Sequence, residues 1–187
     1  MSRSAHIQTF LKIAGWDMAQ RGPLAGDAGN RKYERLNHPQ KGAAILMDAD
    51  PASGEDIRPF LNIAAHLKSC DLSAPEIYDA DCDLGLILLE DFGDQLLFDV
   101  ANATAELEYP LYKMCLEALT QLHQTPPPLN VKSYFPHEMA QVAEITLAWY
   151  CSPDLGATIA AELLKQLGNL DWTRPVLVLR DCHAQNV

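Results

Sequence analysis

Positive charge is scarce in this chain of 187 residues: 14 Lys and Arg stand against 25 Asp and Glu, a formal net charge of −11. That balance gives little support to a sequence-independent grip on nucleic-acid phosphates, so any phosphate site must be local. Cysteine is sparse and unpatterned. Cys70, Cys82, Cys115, Cys151 and Cys182 are odd in number, widely spaced and free of any C-x-x-C pair, which suggests neither a disulfide framework nor a zinc ribbon. A reducing, cytoplasmic setting is expected. Long apolar runs are missing too: none approaches the ~18 residues of a membrane span. The amino-terminal stretch MSRSAHIQTFLKIAGW mixes polar and apolar residues instead of forming a leader's continuous apolar core. Neither nucleic acid nor membrane is expected as a partner. The chain also lacks internal repeats, low-complexity segments and a G-x-x-x-x-G-K-[ST] loop, so a P-loop route to nucleotide binding is unsupported.

What is present is an ordinary globular composition, 48% hydrophobic and 21% charged, enough for one good core or two small ones. Ile7, Phe10, Leu11 and Ala14 recur at helical spacing and predict a helix over 4–14. Gly22, Pro23, Gly26 and Gly29 punctuate the stretch after it. Residues 30–37 and 42–48 then read as two strands joined by the HPQK turn. Ser53 with Asp56 resembles a capping signal, and Ile57, Phe60, Leu61, Ala64 and Leu67 line one face of a helix predicted over 55–69. Short strands follow at 75–80 and 84–90, the second apolar enough to be buried on both faces.

After EDFGDQ the texture turns helical. Leu111, Met114, Cys115, Ala118, Leu119 and Leu122 keep a 3.6-residue period until TPPPLN stops them, and helices near 137–150 and 155–167 come next. A last apolar run, Pro175 to Leu179, is expected to be a strand. The composition shift at 91–95 is the one candidate domain boundary, and the whole pattern is α+β.

The chain closes on LRDCHAQNV. A strand feeding an Asp, with an Asn five residues on, is how a phosphotransferase catalytic loop is built: the Asp takes the proton of the attacking hydroxyl, and the Asn carbonyl helps hold Mg²⁺. On spacing alone these could be solvated loop residues. Yet Asp181 alone among the aspartates has an Asn, Asn186, at that distance.

At these residues the chain resembles the aminoglycoside phosphotransferase and choline kinase-like superfamily, whose loop reads His-Arg/Gly-Asp-x-His-x-x-Asn. Arg180, Asp181, His183 and Asn186 match, while Leu179 stands in place of the leading His. Within it, the resemblance runs to bacterial N-acetylmuramate/N-acetylglucosamine sugar kinases through LAGDAGNRKYERL (24–36), ILMDAD with EDIRPFLNIAAHL (45–67), LSAPEIYDADCDLGLILLEDFGD (72–94) and EMAQVAEITLAWY (138–150).

The resemblance implies a two-lobed protein-kinase-like fold: a nucleotide-binding lobe over 1–91, a hinge at 92–94 and a partial helical lobe over 95–187. It implies ATP and Mg²⁺ as cofactors and a small-molecule substrate bearing a hydroxyl, most closely an amino sugar of cell-wall recycling. Asp181 is the implied catalytic base and Asn186 a metal ligand, with Arg180 and His183 in support. Gly26, Gly29, Asn30, Arg31 and Lys32 would lie over the nucleotide phosphates, and the backbone of Glu90, Asp91 and Phe92 would meet the adenine. The residues alone leave the first group open as an ordinary hairpin turn and the second as an acidic turn.

Two departures temper the enzyme reading. Met47 stands about where many kinases carry a phosphate-pairing Lys, leaving Arg31, Lys32 or Lys41 as substitutes. No second acidic metal motif follows the catalytic loop, and Val187 reads as a truncation point. The alternatives are therefore an inactive nucleotide-binding fragment or an interaction scaffold of the same fold. Truncation also implies exposed apolar surface and self-association.

Overall fold

A computed structural model describes residues 2–24, 29–170, 172 and 174–187. These divide into two compact units: one runs to Leu122 and takes in Cys182–Val187, the other is His123–Asp181.

The first unit is built on a five-stranded antiparallel sheet, ordered β1-β2-β3-β5-β4. Its strands are β1 (Gln20–Leu24), β2 (Lys32–His38), β3 (Gly42–Asp48), β4 (Ile77–Asp81) and β5 (Leu86–Glu90). The β2–β3 hairpin lies where the sequence predicts it, its turn held by the His38 ring, whose Nδ1 accepts the backbone N–H groups of Gln40 and Lys41 at 3.1 Å. β1 is an element the sequence reading treated as punctuation. It pairs only with β2, and an edge position tolerates Pro23, which has no N–H to give.

Alternation along the central strands divides the core between two faces. Ala44 and Leu46 of β3, Leu86 and Leu88 of β5 and Leu36 of β2 pack with Ile7, Phe10, Leu11 and Trp16. The first three of these last residues are the apolar stripe of α1 (Arg3–Ile13), whose first turn is capped by the Ser2 hydroxyl. Ile45, Met47, Ile87 and Leu89 fill the opposite face with Ile57, Phe60 and Leu61. Thus β5 is buried on both faces, as its apolar run predicts.

The second face is covered by α2 (Arg58–Ser69). It begins later than the predicted 55, because Asp56, not Ser53, accepts the Arg58 backbone N–H at 3.0 Å. Ser53 instead closes a separate 3₁₀ turn, Pro51–Ser53, capped by Asp50.

α3 (Leu97–Ala103) and α4 (Glu108–Leu122) complete this unit. α3 carries no local sequence signal. Its early amides have no local cap. Leu97 N–H donates to the Val187 carbonyl at 2.7 Å and Phe98 N–H to that of Ala184 at 2.9 Å, so the closing segment satisfies them.

In the second unit α5 (Pro136–Tyr150) and α6 (Pro153–Gly168) form a helical hairpin. Gly156 and Ala160 of α6 are buried, Gly156 beside Leu147 of α5. The expected strand at 175–179 is not one: no ladder forms there among the described residues. Strand geometry needs a hydrogen-bonding neighbour, and this run is held instead by Leu177, which is buried, and by the His123 ring, which donates to the Leu177 carbonyl at 3.2 Å. Apolar propensity alone does not make a strand.

Candidate active site

Three segments carry the candidate residues, and each is built differently. The first precedes β2. Gly26 lies outside the described residues. Gly29 and Asn30 are exposed, and the Asn30 amide donates to the Ser53 carbonyl at 3.3 Å. Arg31 Nε donates to Glu55 Oε2 at 2.8 Å, and the carboxylate beside it, with Tyr33 also facing it, raises the guanidinium's pKa further. Lys32 opens β2 opposite Asp48 and is exposed. This segment is therefore tied at two points to the β3–α2 connection.

The second segment follows β5. Glu90 ends β5, an inner strand: its backbone N–H donates to the Glu76 carbonyl at 2.9 Å and its carboxylate accepts the Glu76 N–H at 3.0 Å. The Asp91 carboxylate accepts the Gly93 N–H at 2.9 Å and lies 2.7 Å from Arg35 Nε. The outer edge of the same guanidinium reaches Asp94 at 2.7 Å and 2.8 Å. Arg35 holds the Asp94 carboxyl below the usual carboxylate range, and the two acids in turn push its own pKa up. With the Glu90 and Asp91 side chains so occupied, what this turn can offer a ligand is its backbone and the exposed Phe92 ring.

The third segment is the closing phrase, and the unit division falls inside it: Arg180 and Asp181 go with the second unit, His183 and Asn186 with the first. Asp181 N–H donates to the Leu179 carbonyl at 2.8 Å, closing a three-residue turn around Arg180, whose φ is 64°. A left-handed residue other than glycine stores about 1–3 kcal/mol of strain and persists where its surroundings fix it. Here the Arg180 guanidinium sits 5.3 Å from the Tyr134 ring centroid, and Tyr134, Val178, Arg180 and Asp181 line one open cleft. In the first unit, Asn186 N–H donates to the His183 carbonyl at 2.8 Å and Gln185 N–H to the His183 Nδ1 at 3.3 Å. That ring nitrogen serves the turn.

Asp181 and Asn186 carry the hard oxygen donors that Mg²⁺ takes. Among the described residues, however, no group of three or more His, Cys, Asp or Glu is placed to hold a metal ion. These side chains do not by themselves make a metal centre. Arg35, Glu55, Asp94 and Tyr134 escaped the sequence reading. For Arg35 the strand alternation Arg31-Tyr33-Arg35 was a usable signal; the other three depend on long-range contacts.

All three segments lie within the part of the chain that comparison with known proteins matches. The phosphotransferase enzyme family model matches residues 21–187. The chain belongs to this phosphotransferase family. It has the family's kinase-like α+β fold, a strand-rich first part followed by helices.

The chain is similar to the N-acetylmuramate/N-acetylglucosamine kinase of Pseudomonas putida, 31% identical over 158 residues, covering 81% of this chain and 44% of that protein. It is also similar to the kinase of the same name from Caulobacter vibrioides, 31% identical over 153 residues, covering 67% of this chain and 41% of that protein. The chain thus spans less than half the length of the curated relatives it matches. No helix among the described residues is long and apolar enough to cross a membrane.

Proposed function

We propose that this phosphotransferase chain carries a nucleotide-binding lobe and the catalytic loop of an ATP-dependent kinase acting on a hydroxyl of an amino sugar, of the N-acetylmuramate or N-acetylglucosamine kind. The observation that carries the reading is the family match running through residue 187, so that it includes Arg180-Asp181-x-His183-x-x-Asn186. The relatives' names support the substrate class.

In this reading Asp181 accepts the sugar hydroxyl proton as that oxygen bonds to the γ-phosphorus of ATP and the bond to the ADP oxygen breaks. Arg180 positions it: a residue locked in a left-handed turn and stacked on Tyr134 holds the following carboxylate in one direction. Asn186 offers one amide oxygen to a Mg²⁺, and His183 holds the turn that carries it. No step is assigned to the metal, whose set of ligands the described residues do not complete. Gly29, Asn30 and Arg31 face the phosphates, and the backbone at Glu90 to Phe92 faces the base.

A second reading rests on the partial coverage of the relatives: the isolated chain binds nucleotide without turning over. MgATP at 100 times its Kd should stabilise a binding-competent fold by about 2.7 kcal/mol. A thermal scan with and without MgATP tests binding; no shift removes both readings. Transfer of labelled γ-phosphate to N-acetylmuramate then separates them. If transfer occurs, Asp181→Asn should lower its rate by about 10² or more while leaving the MgATP shift intact. Unchanged transfer in that variant would end Asp181's role as base.

A further inference from the structure

Kinase-like phosphotransferases set a Lys from a central strand against the nucleotide phosphates and hold it with a carboxylate from the neighbouring helix. In this chain β3 has Met47 in the corresponding region, fully buried beneath α2 with Ile45, Ile57 and Ile87. A thioether in that position supplies no charge, and three nearby cations could replace the lysine.

Two of them are badly placed. Lys41 lies in the β2–β3 turn at the far end of the hairpin, where its Nζ donates to the Ala14 and Gly15 carbonyls at 3.3 Å and 2.8 Å and stands 5.5 Å over the Trp16 ring. Lys32 shares the alternation of Leu36, which packs on the α1 face of the sheet, away from Met47. Arg31 stands immediately ahead of β2, two residues before Tyr33, the register partner of Met47, which packs with Met47 on the α2 face. Its Nε is held by Glu55, in the turn that leads into α2.

We propose that Arg31, positioned by Glu55, is the phosphate-contacting cation of this chain, the charge having moved from β3 to the residue that leads into the neighbouring strand β2. The inference rests on the nucleotide reading above and deepens it. Guanidinium chemistry suits the exchange: Nε engages the carboxylate, and the terminal nitrogens are the part of the fork that pairs with phosphate oxygens. The position suits it as well. Arg31 immediately precedes β2, and Arg35, which holds the turn after β5, lies within that strand.

The test compares ATP with adenosine by calorimetric titration of the full chain, Arg31→Gln, Glu55→Gln and Arg31→Lys. Arg31→Gln should weaken ATP binding by about tenfold to a hundredfold, the worth of hydrogen bonds to a charged group, and leave adenosine binding unchanged. Glu55→Gln should show a smaller loss of ATP with adenosine again unchanged, and Arg31→Lys should restore part of the ATP affinity. Should Arg31→Gln fail to bind adenosine, the decision passes to Glu55→Gln, which must lose ATP selectively. Equal ATP binding by wild type and Arg31→Gln overturns the inference alone, as does a loss of ATP and adenosine together in both variants. A wild-type chain that binds neither ligand overturns the nucleotide reading, and the inference falls with it.

Discussion

At the scale of single residues, the sheet's geometry rests on positions whose role is backbone shape. Gly85 has φ 63°, and a Cβ there would come within 2.1 Å of the Ala49 carbonyl oxygen, while Ala49 N–H donates to the Gly85 carbonyl at 2.9 Å. The close approach closes the turn into β5 against the end of β3, so no side chain can be added without moving one strand. Gly85→Ala should therefore cost at least about 2 kcal/mol in urea-induced unfolding, whereas Gly54→Ala, equally left-handed but with open space around it, should cost less. Equal losses in the two variants would show that backbone conformation, not the Ala49 contact, decides the effect. Arg180 makes the complementary case: its left-handed backbone is kept although glycine would relieve it, and its guanidinium has a ring to stack on.

At the scale of elements, the telling unit is β2 with the turn after β5. β2 alternates one face to α1 and one to α2, and Arg35 on the latter ties Asp91 and Asp94 to the sheet. Replacing it by glutamine should free the 91–94 turn, read as faster amide exchange there than in the sheet. The effect has a definite pH window. Asp94 is held below its ordinary pKa by Arg35, so its contribution is present above the ordinary carboxylate value and is lost as pH falls through the depressed one. The difference between wild type and Arg35→Gln should accordingly be full at neutral pH and shrink below about pH 4. A difference independent of pH would assign the effect to packing of the Arg35 stem.

At the scale of the whole molecule, the helices expose much apolar surface. On α4 Tyr109 and Met114, and on α5 Ile145, Trp149 and Tyr150, are each more than half exposed, the last two above 80%. Exposed apolar patches of this kind seek partners. The isolated chain should self-associate in a concentration-dependent way by sedimentation, and the pair Trp149→Lys with Tyr150→Lys should shift it toward monomer. A monomeric wild type across micromolar to millimolar concentrations would contradict this.

Elements whose signal is local can be read from the chain alone. The Ile7-Phe10-Leu11 stripe marks α1, the HPQK turn marks the β2–β3 hairpin, and the unbroken apolar run of β5 announces a strand buried on both faces. The family is legible there as well, because the closing Arg180-Asp181-x-His183-x-x-Asn186 pattern and the four matching stretches before it occur together in one order. The remaining features depend on contacts between distant segments. β1 exists because an edge position excuses Pro23, α3 because carbonyls from Ala184 and Val187 meet its early amides, and 175–179 is no strand because nothing pairs with it. The same holds for charge: Arg31, Lys32 and Lys41 are equivalent cations on paper. Their difference arises when the connection into α2 sets Arg31 against Glu55 and the hairpin turn sets Lys41 against the end of α1, contacts made across 24 and 26 residues of chain.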